Sequence, residues 1–106
     1  MMVEEDLSIA KEFKDRLMSF FPILDFKVYG SRARGGAIPE SDLDIFIVVE
    51  ELTLEQRRRI SEIAWEVGFE RDRVISTFVA GRDQLTIGPL AANPILQKIE
   101  SEGIRV

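Results

Sequence analysis

Residues 42–49 constrain the fold more than any other part of the chain. Residues 45–49 are all β-formers, and the alternation of a strand places on one apolar face Leu43, Ile45, Ile47 and Val49. The other face carries Asp42, Asp44, Phe46 and Val48. The sequence therefore predicts a strand over residues 42–49 that begins with two carboxylates on one face.

Three further segments predict helices. Apolar residues at spacings of three and four indicate an amphipathic helix over residues 5–21, which Pro22 ends. Its apolar stripe consists of Ile9, Ala10, Phe13, Leu17 and Phe20. Thr53 and Gln56 form a capping box for a second helix, which ends at Gly68 and has the stripe Ile60, Ile63, Ala64 and Val67. Asn93 and Pro94 indicate the cap and first turn of a last helix over residues 95–102, terminated by Gly103.

Two more strands complete the predicted order. Residues 24–29 alternate and end at Gly30, where residues 31–39 indicate a short helical turn and a loop. The β-branched residues 73–80 predict a third strand, followed by a loop over residues 81–92 with one helical turn near Arg82–Leu85. The order is α-β-turn-β-α-β-α. We expect one domain over residues 1–106, of the α/β (α+β) class, with helices packed on a mixed sheet of three to four strands.

Composition excludes several kinds of chemistry. The 106 residues include neither cysteine nor histidine, so disulfides, zinc sites, thiol nucleophiles and imidazole catalysis are excluded together. A net charge of −5 argues against a broad nucleic-acid surface, because such surfaces neutralise phosphates with Lys and Arg. Without a long apolar run or a signal-peptide pattern, we expect a soluble cytoplasmic protein that does not enter a membrane.

Two neighbouring motifs indicate a phosphate and metal site. Gly30 after a strand lets the backbone approach a ligand, and the following turn offers N–H groups to an anion, with the hydroxyl of Ser31 as a further donor. Asp42 and Asp44 are separated by one strand residue, so both carboxylates can ligate one octahedral cation. Magnesium suits such oxygen ligands and takes its remaining ligands from phosphates and water, so the two motifs complement each other.

The spacing of these motifs resembles that of the DNA polymerase β-like nucleotidyltransferase superfamily, in which a Gly-Ser turn is followed after about ten residues by Asp-x-Asp. The run from Tyr29 through Gly30-Ser31-Arg32-Ala33-Arg34-Gly35 to Ser41-Asp42-Leu43-Asp44 is most similar to the minimal nucleotidyltransferases, which often occur with a helical HEPN partner. The motif covers about a sixth of the chain, and the order of elements extends the resemblance over nearly all of it.

The resemblance implies transfer of a nucleoside monophosphate from a triphosphate to an acceptor hydroxyl, with Mg²⁺ or Mn²⁺ as cofactor. It assigns triphosphate binding to the turn of Gly30 and Ser31, and metal binding and catalysis to Asp42 and Asp44. The motif's basic positions are Arg32 and Arg34, for which nucleotide binding and an ordinary surface location both remain open. Such transfer is catalysed largely by positioning and by neutralising charge on phosphate oxygens.

One position departs from the family pattern. Active members usually carry a third carboxylate in the middle of the next strand, whereas this chain has Ser76 there and no acid between residues 74 and 78. Asp72 and Asp83 flank that strand rather than lying within it. Either Ser76 marks a weakened metal site, or Glu50, Glu51 or a partner protein supplies the missing oxygen.

Two functions therefore stay open. The first is a magnesium-dependent nucleotidyltransferase, and the second is a catalytically weak relative that binds a partner, such as the HEPN protein of a toxin-antitoxin pair. The arginines of residues 57–59 have acids at helical i, i+4 spacing, which favours a solvated helix face over a nucleic-acid site. Trp65 borders the apolar stripe and is expected to pack against it, with a homo-oligomer contact as the alternative.

Overall fold

A computed structural model describes residues 2–34 and 42–106. Within these ranges the strands form one mixed sheet in the order β3-β2-β1-β4. The strands are β1 (Asp25–Tyr29), β2 (Leu43–Val49), β3 (Ile75–Gly81) and β4 (Ile104–Arg105). β1 runs antiparallel to β2 and β4, and β3 runs parallel to β2. This architecture confirms the predicted α/β (α+β) class.

The helices cover both faces of the sheet. They are α1 (Glu4–Met18), α2 (Ser31–Arg34), α3 (Leu54–Arg71) and α4 (Pro94–Glu102), with 3-10 helices at Arg82–Leu85 and Pro89–Ala92. No helix in the described part of the chain is both long enough and apolar enough to span a membrane.

The predicted apolar face of β2 forms the centre of the main core. Its four side chains are at most 1% exposed and pack with the stripes of α1 and α3, which include Ile9, Phe13, Ile60 and Val67. Apart from Phe20, the apolar residues of each predicted stripe are therefore buried as their periodicity indicates. Full burial of one such aliphatic or aromatic side chain contributes about 1.5–3 kcal/mol to folding.

The opposite face of the sheet has its own smaller core. Phe46, Val48 and Ala80 are buried there against Ile99 of α4. The rings of Phe46 and Phe78 meet edge to face with centroids 5.6 Å apart. The cap of α4 is confirmed, since the Asn93 side chain accepts a hydrogen bond from the backbone N–H of Ile95 at 3.0 Å.

Two predicted helix ends were wrong. α1 ends at Met18 rather than at residue 21, and Phe20 is 55% exposed, with the Arg59 guanidinium 4.5 Å from its ring centroid. α3 begins at the predicted Thr53 capping box but continues past Gly68 to Arg71. Gly68 is required by a close approach instead, because a Cβ there would lie 2.5 Å from the carbonyl oxygen of Arg73.

Other features escaped the sequence patterns. β4 and the second 3-10 helix were not predicted, because elements of two and four residues are too short to show periodicity. The expected packing of Trp65 was wrong: its side chain is 68% exposed and stacks on the exposed ring of Phe69. The arginines of residues 57–59 do form an exposed helix face, and Arg58 pairs with Glu62 at 3.5 Å.

Candidate functional site

Gly30 directly follows β1 in a conformation that favours glycine. Its φ is +75°, and a Cβ at this position would lie 2.7 Å from the Oδ2 atom of Asp44. Any other residue would combine a strained backbone with a clash against that carboxylate. The turn after β1 and the start of β2 therefore meet directly, and Ser31 follows as the half-buried first residue of α2.

The strand register arranges three polar side chains in one row. Asp44 of β2 is paired with Tyr29 of β1 and with Ser76 of β3. Paired residues project to the same face of a sheet, so these three side chains lie side by side. Tyr29 and Asp44 are half-buried, and Ser76 is exposed.

Asp44 occupies an environment that disfavours its charge. Burial raises the pKa of Asp44 above its usual value, and the negative charge of Asp42 raises that pKa further. Asp42 is exposed immediately before β2. Two nearby carboxylates, one of them partly desolvated, are a donor set that fits a hard divalent cation, because the cation removes their mutual repulsion.

Tyr29 is a site residue to which the sequence assigned no role. Burial raises the pKa of its phenol, and the charge of Asp44 has the same effect, so the hydroxyl stays protonated at neutral pH. It can therefore donate a hydrogen bond near the acid pair. The sequence did contain a signal for this role. Tyr29 lies directly before Gly30, and antiparallel pairing of β1 with β2 places it opposite Asp44.

Arg32 does not lie on the surface. It is 8% exposed, and its Nε and Nη2 atoms donate to the two carboxylate oxygens of Asp6, at 2.7 and 2.8 Å. The surface alternative was therefore wrong, and the guanidinium is bound by a helix α1 carboxylate that the sequence patterns did not single out. Nucleotide binding by Arg32 stays a prediction. Arg34 ends α2, and its side chain lies outside the described residues.

Ser76 occupies the position at which the family's third carboxylate was expected, directly beside Asp44 in the β2–β3 register. Glu50 and Glu51 do not compensate, because they follow β2 at its far end, about 20 Å along the strand from Asp44. Glu50 instead pairs with Arg82 at 3.3 Å. Over residues 2–34 and 42–106, no group of three or more Asp or Glu side chains gathers as a metal site.

A separate cleft lies on the other face of the sheet. It has a volume of about 650 Å³ and lies between α3 and the start of β3, where Ile75 and Thr77 line it. Those residues alternate with Ser76 along β3, so the cleft opens away from Asp44. The candidate site is therefore defined by the turn and the acid pair, not by this cleft.

The comparison with protein families identifies the class of protein. Residues 10–100 match the family described as the nucleotidyltransferase domain. This match covers most of the chain, including the Gly30 turn, β2 and β3. The chain belongs to the nucleotidyltransferase-domain family.

The relatives are consistent with this assignment. A protein of Methanocaldococcus jannaschii with the provisional name protein adenylyltransferase is 30% identical over 105 residues, covering 96% of this chain and 99% of the relative. A structure described provisionally as a minimal nucleotidyltransferase is 20% identical with a TM-score of 0.65, covering 100% of this chain and 97% of the other.

Two further structures share the fold. A structure of the toxin-antitoxin pair MntA-HpeT has a TM-score of 0.62 at 17% identity, covering 91% of this chain and 69% of the other. A structure from Sulfolobus solfataricus, described provisionally as a nucleotidyltransferase, has a TM-score of 0.60 at 22% identity, covering 95% of this chain and 78% of the other. These similarities confirm the predicted resemblance to minimal nucleotidyltransferases.

Proposed function

We propose that the chain transfers a nucleoside monophosphate, most simply AMP, from a nucleoside triphosphate to a hydroxyl group of a protein. The observation that carries this proposal is the contact between the Gly30 turn and the Asp44 carboxylate. A phosphate lying on that turn would be within reach of a cation on Asp44. The protein adenylyltransferase name of the Methanocaldococcus relative supports AMP as the group and protein as the acceptor.

In this proposal the turn of Gly30 and Ser31 binds the triphosphate, and Asp42 and Asp44 hold Mg²⁺ or Mn²⁺. When bound, the cation neutralises phosphate oxygens as charge develops on them. Tyr29 donates a hydrogen bond at the edge of the acid pair. Arg34 is a nucleotide ligand in this proposal. Arg32 lies near the phosphates while its guanidinium remains bound to Asp6.

The bond changes of the reaction are simple. The acceptor hydroxyl oxygen forms a bond to the α-phosphorus, and the bond from that phosphorus to the oxygen bridging to the β-phosphate breaks. Pyrophosphate leaves with the bonding electron pair, and the acceptor proton passes to solvent water. Because Ser76 is a poor proton acceptor in the place of a carboxylate, we expect slow transfer.

Label transfer tests the proposal. The chain is incubated with α-labelled ATP, magnesium or manganese, and the product of the neighbouring gene, and protein-bound label is measured. We expect label with the wild type and with Asp15→Asn, an exposed α1 carboxylate, and none with Asp44→Asn. Equal labelling by Asp44→Asn would contradict the proposal.

The second candidate function is partner binding by a catalytically weak member, as in an antitoxin. Ser76 in place of an acid favours it. An exposed apolar surface also favours partner binding. It consists of two aromatic residues and one aliphatic residue, Trp65, Phe69 and Val74, which are 68%, 74% and 62% exposed, and is called the aromatic surface below. The two rings stack with centroids 5.2 Å apart beside the 650 Å³ cleft. A contiguous apolar patch of this kind typically marks a protein contact.

We propose a basic protein, of the helical HEPN type, as the occupant of this aromatic surface. Glu66 and Asp72 lie beside it, whereas the charge of Glu62 is balanced by Arg58 and Arg59. The chain has a net charge of −5, so a second copy would bring the same net charge. The similarity to a toxin-antitoxin structure supports a protein partner, and the HEPN type comes from the resemblance to minimal nucleotidyltransferases. Light scattering of the chain alone and with the neighbouring gene's product distinguishes a second copy of the chain from a different protein as the occupant. A homodimer that Trp65→Ala dissociates would overturn the proposal of a different protein.

A further inference from the structure

We infer that Asp6 is a positioning residue for the proposed nucleotide-binding turn, because its buried carboxylate fixes Arg32 and thereby the backbone of Gly30 and Ser31. The inference rests on the proposed function and extends it to α1. Asp6 lies in the first turn of α1 and is 1% exposed. It precedes residues 10–100, which match the family, so the family assignment does not include it.

The contacts of Asp6 bring three elements to one carboxylate. Its Oδ2 atom accepts from Arg32 Nε at 2.7 Å, and Oδ1 accepts from Arg32 Nη2 at 2.8 Å and from Arg73 Nη1 at 2.7 Å. The first pair joins α1 to α2, and the second joins α1 to the segment before β3. A two-pronged guanidinium–carboxylate pair fixes orientation as well as distance, so Arg32 cannot rotate without losing a bond.

Arg32 is only two residues beyond Gly30. With its side chain fixed, the peptide groups of residues 30–32 have little freedom, and these are the groups that would donate to phosphate oxygens. Preorganised donors contribute to transition-state stabilisation because no reorganisation is needed during the reaction. Asp6 therefore sets the direction of the turn without contacting the substrate.

Stability alone is a weak explanation for this network. Desolvation of a buried ion pair offsets much of its Coulombic attraction, and an apolar cluster of similar size is often as stable. Arg73 is also imperfectly satisfied, since its buried Nη2 atom has no hydrogen-bond partner among the residues described. What the network supplies is a fixed geometry at the turn.

Asp6 is poorly suited to hold a metal ion in this arrangement, because the guanidinium cations of Arg32 and Arg73 contact both of its oxygens and would repel a further cation. Burial by itself raises the pKa of Asp6, but the hydrogen bonds and charges of the two arginines outweigh burial and lower that pKa. The carboxylate is therefore ionised throughout the neutral range, as the positioning role requires.

The test compares two ion pairs of α1. Asp6→Asn weakens the link to the turn, whereas Glu12→Gln weakens pairs of Glu12 with Arg16 and Arg71 that do not reach the turn. Arg32→Lys keeps a positive charge but loses the two-pronged geometry. Each full-length variant is studied at low temperature, where circular dichroism shows it to be folded. Amide exchange at residues 30–33 is measured without nucleotide, and the Kd for Mg-ATP is measured by calorimetry.

We expect Asp6→Asn and Arg32→Lys to speed exchange at residues 30–33 and to raise the Kd by about tenfold to a hundredfold, while Glu12→Gln changes neither. A purely structural role would lower the melting temperature and leave the Kd of the folded protein unchanged, which would overturn the inference. If Asp6→Asn does not fold, amide exchange at residues 30–33 in nucleotide-free Arg32→Lys decides, because that rate does not depend on any contact of Arg32 with the nucleotide; unchanged exchange would overturn the inference.

The two proposals fail in different ways. If the wild type binds no triphosphate, the proposed function is wrong, and the exchange rates at residues 30–33 still decide whether Asp6 fixes the turn. If the wild type binds Mg-ATP and both variants bind it equally well, the positioning role is wrong and the proposed function stands.

Discussion

The face of the sheet that carries Asp44 is divided into two regions. In one, Phe46, Val48 and Ala80 are covered by α4 and are at most 4% exposed. In the other, the row of Tyr29, Asp44 and Ser76 remains open to different degrees. β2 contributes to both regions with Asp44 and Phe46, two residues apart, and β3 contributes to both with Ser76 and Ala80, four residues apart. A carboxylate at the border is partly desolvated without being needed for packing, which is typical of a functional site.

The largest effect is expected in the covered region. Phe46→Ala removes a buried ring and should lower the free energy of unfolding by about 3–5 kcal/mol, measured by urea denaturation. The folded fraction should keep its affinity for Mg-ATP. As a control, Phe20→Ala removes an exposed ring and its contact with Arg59, which contributes at most about 1 kcal/mol. A loss of nucleotide affinity in folded Phe46→Ala would contradict the division of this face into a packing region and a binding region.

In the open region, Gly30→Ala should weaken binding of Mg-ATP by about tenfold to a hundredfold, or roughly 1.4–2.8 kcal/mol. The added Cβ would collide with Asp44 at a positive φ. Gly88→Ala is the matched control, because Gly88 also has a positive φ, of +96°, but its Cβ would meet no atom within 4 Å. Calorimetry should show unchanged binding for the control, and equal losses in both variants would mean that backbone strain alone is responsible.

A carboxylate added to the open row should sharpen the contrast. Ser76→Asp places an acid beside Asp44, and we expect about a tenfold gain in metal-dependent label transfer. Thr77→Asp adds the same charge one residue away on the opposite face of β3, and should give no gain. If both substitutions leave transfer undetectable, the partner-binding function is favoured over the enzyme.

The smallest effect is expected from pH. The pKa of Asp6 is lowered in the folded protein, so its contribution to stability is present above the unfolded pKa of about 4 and is lost as pH falls through the folded value. The melting temperature should therefore fall more steeply below about pH 4 in the wild type than in Asp6→Asn. If the melting temperatures of the two proteins fell in parallel with pH, the ion pairs of Asp6 would not contribute to stability as described.

The sequence predicted the elements that have long periodic patterns and missed those that depend on distant contacts. The strands β1 to β3, the Thr53 cap and the spacing of Gly30 from Asp44 followed from local patterns. The ion pair of Asp6 with Arg32 joins residues 26 apart, and no local period reports such a contact. Exposure of Trp65 depends likewise on what covers α3, which its helical stripe alone cannot determine.

The central claim is that the Gly30 turn and the acid pair act on one metal-bound triphosphate. Calorimetry of ATP binding with and without magnesium tests it most directly, in the wild type and in the double variant Asp42→Asn with Asp44→Asn. We predict that magnesium strengthens binding to the wild type and has no such effect on the double variant. Equal affinity of the wild type with and without magnesium would contradict the claim.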